Sequence, residues 1–156
     1  MSRPSAANTG VIGDNATITD SYVRDLPFWA HDQDQGRKPA HNDGVEIFVG
    51  RNLHITDNAF DIASYGNSAM EVNQNLGTVT DLHFTGNYAD AGNCTVNLVN
   101  MPRPSITGIR VDDNRSFGRD TSIANCAIVA KYAVTLTDVN DVWDHTGLPV
   151  TLRRAH

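Results

Sequence analysis

One short pattern repeats in phase through this 156-residue chain, and that repeat limits its fold more than any other feature. Five segments, beginning at Asn15, Asn52, Asp81, Gly108 and Ala133, read NATITDSYV, NLHITDNAF, DLHFTGNYA, GIRVDDNRS and AVTLTDVND. Each sets two apolar residues two apart: Ala16/Ile18, Leu53/Ile55, Leu82/Phe84, Ile109/Val111 and Val134/Leu136. That spacing puts both side chains on one face of a strand. The second members lie 37, 29, 27 and 25 residues apart, the longest interval carrying an insertion. Three places beyond each pair stands a turn residue: Ser21, Asn58, Asn87 and Asn114, with Asn140 one place late. Asn tolerates left-handed backbone and bonds locally, so its recurrence marks turns stacked on turns.

A second strand recurs in each period. Val45/Ile47, Met70/Val72, Val96/Leu98 and Ile128/Ala130 form its apolar pairs, with intervals of 25, 26 and 32 between first members. Two or three short strands in a period of about 27 residues leave no room for a helix. The expected fold is all-β: a single-stranded right-handed parallel β-helix of about five rungs over 11–156. Residues 1–10 read as an N-terminal arm, 27–44 as an inserted loop and 138–156 as a C-terminal cap. A sandwich or barrel also uses short strands but does not keep the turn Asn in phase. Composition agrees: two Lys, 7% aromatics and abundant Asn, Asp and Thr suit short strands joined by polar turns.

The register sets Cys94 and Cys126 at one inward position on consecutive rungs, about 5 Å apart. Two buried thiols are expected there; a disulfide is the alternative, which in-register parallel neighbours suit poorly. At the C-terminal end, Trp143, Leu148, Val150 and Leu152 are expected to fold over the last rung. Nothing comparable precedes residue 11, where Val11 and Ile12 start a partial rung. The first rung therefore calls for a cover, from another subunit (a homo-oligomer such as a trimer) or from a longer β-helix.

Chemistry concentrates in the insertion and just after it. The insertion holds Phe28, Trp29, His31, Asp32, Asp34, Arg37, Lys38, His41 and Asp43. Trp29, His31, Asp34, Arg37 and Lys38, with Asn97 on the coil, are candidate binding residues, an aromatic among polar groups being suited to stacking on a sugar; equally, Phe28 and Trp29 pin the loop. Next, Glu46 faces outward between Val45 and Ile47, and Glu71 and Asn97 follow at equivalent places. With Asp43 nearby these form an outer polar row, in which Asp43, Glu46, Glu71 and His41 are the candidate catalytic residues if the protein is an enzyme. Carboxylates roughly 5 to 9.5 Å apart perform glycoside hydrolysis, and two that close push one pKa up. A lyase would pair Ca²⁺-holding carboxylates with a base such as Arg51 or Lys38. A polar row also follows from any stacked strand architecture. His54 and His83 share one rung position and are expected to stack in solvent.

No phosphate loop, serine-nucleophile elbow or metal-ligand spacing is present, so no cofactor and no metal are expected. A net charge of −6 argues against nucleic acid. No apolar run nears the roughly 18 residues of a membrane span, and the start lacks a signal peptide's apolar stretch.

The succession NATITDSYVRDL, HNDGVEI, NLHITDNAF and VWDHTGLPV resembles the pectate-lyase-like right-handed β-helix proteins of actinobacteria and their phages, over about residues 11 to 150. In that family the His-x-Asp-Gly element corresponds to His41, Asp43 and Gly44. The chain lacks the enzymes' N-terminal helix cap, several upstream rungs and an Arg-containing lyase signature. The resemblance therefore implies a non-enzymatic virion or extracellular module, tail-associated or capsid-decorating, whose partners are other virion subunits and a host surface glycan. A polysaccharide lyase or hydrolase is the alternative. A start at Met1 without a signal peptide fits a phage protein released by lysis.

Overall fold

The computed structural model describes residues 9–26, 29–33, 36–62, 66–91, 93–99, 106–115, 126–131 and 136–155. Among them every regular element is a strand and no helix is present. In chain order the strands are β1 (Thr9–Ile12), β2 (Thr17–Thr19), β3 (Tyr22–Arg24), β4 (Asp43–Thr56), β5 (Ala59–Ile62), β6 (Ser68–Asn73), β7 (Val79–Thr85), β8 (Tyr88–Ala91), β9 (Cys94–Val99), β10 (Ile106–Asp112), β11 (Cys126–Lys131), β12 (Leu136–Val139) and β13 (Leu152–Ala155).

All their pairings are parallel and fall into three ladders. The first joins β1, the front half of β4, β6, β9, β11 and β13. The second joins β2, the back half of β4, β7, β10 and β12. The third joins β3, β5 and β8, and Arg115 and Val142 extend it as bridges. Each pass of the chain visits the ladders in the same order, so the sheet curls around one apolar core. That core stacks Val45, Met70, Val96 and Ile128 in the first ladder, facing Leu53, Leu82 and Ile109 in the second and Phe60 in the third.

Turn chemistry explains why the passes superpose. Entering the second ladder, Asn15, Asn52, Asp81 and Gly108 all have positive φ, between 53° and 66°. Leaving it, Asp20, Asp57, Gly86, Asp113 and Asn140 do the same, between 50° and 68°. Left-handed backbone favours Gly, Asn and Asp, and these are the residues the sequence supplies in excess. Beside the exit turns runs a buried amide ladder. Asn58 Oδ1 accepts from the Ser21 N–H, Asn87 Oδ1 from the Asn58 N–H, and Asn114 Oδ1 from the Asn87 N–H, at 3.0, 3.0 and 2.8 Å. The Nδ2 groups of Asn58, Asn87 and Asn114 donate to the carbonyls of Ile18, Ile55 and Phe84.

Three expectations need correction. Leu136 pairs with Ile109 and not with Val111, so the last interval is 27. Val134/Leu136 imitates the apolar pair, but the residue in register with Val111 is Asp138, which breaks the pattern. The same shift puts Asp141 at the ladder position, accepting from Asn114, while Asn140 belongs to the exit turns and bonds Asp113. Second, Cys94 and Cys126 are in register as expected, with Cα atoms 4.7 Å apart, but they form a disulfide. They also stand on the outer face. Ala69 and Met70 both enter the core, as do Ala127 and Ile128, so strict alternation fails for one step. The register column Asp43–Ser68–Cys94–Cys126 is thereby turned outward, where the cysteines pack with Val129 in a small separate cluster. Third, Leu148 is exposed; Val150 is buried and Trp143 packs against the core, while Leu152 does not fold over the last rung but pairs with Ile128 as a further strand of the first ladder.

Candidate functional site

The front half of β4 positions the site. Gly44 and Val45 turn inward, which leaves Asp43 and Glu46 on the outer face of the first ladder. Gly44 has no room for a side chain: a Cβ there would lie 2.6 Å from the Ala69 carbonyl oxygen and 2.8 Å from the Phe60 ring. Register then stacks Glu46, Glu71, Asn97 and Val129 in one outer column, beside the column of Asp43, Ser68 and the disulfide. His41 lies just ahead of the strand and joins the group.

His41, Asp43 and Glu71 bring one ligand-type atom each within 4.8 Å of one another. Asp43 is fully buried and Glu71 is 4% exposed. His41 is open to solvent, its side chain 56% exposed, with Nδ1 3.5 Å from Asp43 Oδ2. Asn67 ties the two acids together: its Nδ2 donates to Asp43 Oδ1 at 2.9 Å and to Glu71 Oε2 at 2.5 Å. Asn97 Nδ2 adds a 3.2 Å bond to Glu71 Oε2, and Asn73 Nδ2 lies 3.5 Å from Glu46 Oε1.

Burial dominates the electrostatics here. It pushes Asp43 from its usual 3.8 up to about 8, with the neighbouring Glu71 charge second and the Glu46 charge adding to it. The Asn67 amide works in the opposite direction. Glu71 is also raised, again chiefly by burial and then by Glu46, against the pull of His41 and the Asn67 and Asn97 amides. The pair therefore carries fewer than two negative charges at neutral pH. Ser68 stacks on Asp43 in register, and its hydroxyl, bonding the Asp43 carboxyl, also works against the rise.

Of the residues singled out in the sequence, His41, Asp43, Glu46, Glu71 and Asn97 thus come together. The inserted residues form a small hairpin of their own. Asp32 and Lys38 pair antiparallel, the Ala40 N–H donates to the Trp29 carbonyl, and His31 Nδ1 lies 3.3 Å from the Arg37 carbonyl oxygen. Trp29 is half-buried, and His31, Arg37 and Lys38 are exposed. Asp34 and Phe28 lie outside the described residues. Arg51 belongs to the second ladder, where it binds Asp14 at 3.0 Å, so it is not the base of this face. His54 and His83 stack on that ladder with ring centroids 4.8 Å apart.

Asn67 and Ser68 were not singled out by sequence, although a signal for them exists. Asn42, Asn67 and Asn93 form another in-phase column, linked by Asn67 N–H to the Asn42 carbonyl and Asn93 N–H to the Asn67 carbonyl. Comparison of the chain with protein-family models, curated proteins and solved structures finds no match.

Proposed function

We propose that this chain is a right-handed parallel β-helix module that binds polysaccharide without cleaving it. In this reading His41, Glu46, Asn73 and Asn97 contact the glycan, and Asp43 and Glu71 hold that surface in place from beneath. One observation carries the proposal: the two acids with raised pKa are shut off from solvent, Asp43 completely and Glu71 to 4% exposure. A general acid must come within about 3 Å of the glycosidic oxygen, and a side chain without accessible surface does not reach it. Strand-spaced polar columns are suited to a repeating polymer, whose sugars present hydroxyls at regular intervals.

The virion setting proposed for the module, with a host surface glycan as its target, rests on the resemblance of its repeat motifs. The proposed homo-oligomer rests on β1, β2 and β3, each of which has described strand partners on one side only. Tyr22 on β3 is an exposed aromatic at that edge. A second reading, a polysaccharide lyase or hydrolase, is favoured by the pKa of about 8 at Asp43, which suits a proton donor.

Retention on an immobilised panel of neutral, amino-sugar and uronic polysaccharides tests the binding reading. The wild type should be retained on at least one polymer, and Glu46→Gln combined with Asn97→Ala should weaken that retention at least tenfold. Retention unchanged by both substitutions would remove the face from the proposal.

A further inference from the structure

We propose that His41, Asp43 and Glu71 form a binding site for one divalent transition-metal ion of the zinc class. The inference is independent of the glycan reading. Three donors of mixed type converge: one imidazole nitrogen and two carboxylate oxygens, from the segment before β4, from β4 itself and from β6. Mixed nitrogen and oxygen donors suit a first-row divalent ion better than Ca²⁺ or Mg²⁺, which take oxygen alone.

A second observation points to a missing electropositive partner. Asn97 Oδ1, buried on the side chain whose own amide binds Glu71, has no hydrogen-bond partner. An unmet oxygen thus stands on the column that carries Glu71. The supporting shell is also in place. Asn67 Nδ2 binds one oxygen of each carboxylate and so fixes their orientation, as outer residues do around metal ligands.

The ligand atoms lie up to 4.8 Å apart, wider than the roughly 3–3.5 Å between neighbouring ligands on bonds of about 2.0–2.2 Å. His41, 56% exposed and ahead of the strand, is the member with room to move, and binding requires it to close on the two held carboxylates by about an ångström. The disulfide removes both cysteines from competition for the metal.

The test is zinc titration of chelator-treated protein, with calorimetry for affinity and elemental analysis for stoichiometry. The expected result is one zinc per chain, with affinity lowered at least tenfold by His41→Ala, Asp43→Asn and Glu71→Gln. His41 is on the surface, so His41→Ala keeps the fold even where a buried variant does not. His54→Ala, on the stacked histidine pair of the second ladder, should bind like wild type. No zinc retained, retention unaffected by His41→Ala, retention lost in His54→Ala, or binding of Ca²⁺ in place of zinc each overturns the proposal.

Discussion

Asp141 terminates the amide ladder by accepting twice from Asn114 on one oxygen: Oδ1 lies 2.7 Å from the backbone nitrogen and 2.9 Å from Nδ2. Asn58 and Asn87 each donate the same two bonds to the next residue down, so the ladder transmits register from pass to pass.

Removing a central member should therefore be costly. Asn87→Ala deletes the acceptor for the Asn58 N–H and Nδ2 and the donor to the Ile55 carbonyl, all buried. An expected loss of about 2–4 kcal/mol follows from the buried groups left unsatisfied. Urea unfolding measures it against Thr137→Ala, an exposed strand position expected to change by no more than about 0.5 kcal/mol. Equal effects from the two would contradict a stabilising ladder.

The disulfide closes a sequence separation of 32. In the chain-entropy account a loop of that size stabilises the fold by about 3–4 kcal/mol. Thermal unfolding with and without a thiol reductant should show that loss, and Cys94→Ser should reproduce it. Thiol titration of the unfolded, unreduced protein should find no free thiol; two free thiols would contradict the pairing.

Asp43 predicts a pH dependence of unusual sign for a carboxylate. Its folded pKa of about 8 exceeds the ordinary 3.8, so its unfolded form releases the proton more readily. Its stabilising contribution is complete below about pH 4 and is lost as pH rises toward 8. In metal-free protein this group should make stability fall by about 1.4 kcal/mol per pH unit between pH 5 and 7. Asp43→Asn, which carries no proton to lose, should flatten that slope and unfold at higher denaturant than wild type at pH 8. An identical slope in both proteins would contradict the burial argument.

Gly44→Ala should destabilise by about 2 kcal/mol or more, since the new methyl meets backbone at 2.6 Å and the Phe60 ring at 2.8 Å with no slack in the core. Because Gly44 sits between Asp43 and Val45, the variant should also disturb the binding face. Unfolding and glycan retention on one preparation read both effects; an unperturbed midpoint would contradict the close approach.

Much of the first ladder is legible in sequence because its central inward column is apolar throughout: Val45, Met70, Val96 and Ile128 recur in phase and pair with one another. Glu46, Glu71 and Asn97 followed from the same register. Counting by two failed where small residues let the strand put two successive positions inward, at Ala69/Met70 and Ala127/Ile128. That local break sent Asp43 and both cysteines outward, and it is what sets Asp43 beside Glu71. It failed again at Asp138, a polar residue at an apolar place in the repeat. The role of Asn67 depends on one side chain reaching two different columns, which no one-dimensional period records.

The most direct test of binding without cleavage is product analysis on a polysaccharide that the protein retains. Prolonged incubation should yield no new reducing ends and no unsaturated sugar termini above a protein-free control, while the polymer remains bound. Steady release of either product by the wild type, abolished in Asp43→Asn or Glu71→Gln, would contradict the account and assign the buried pair to catalysis.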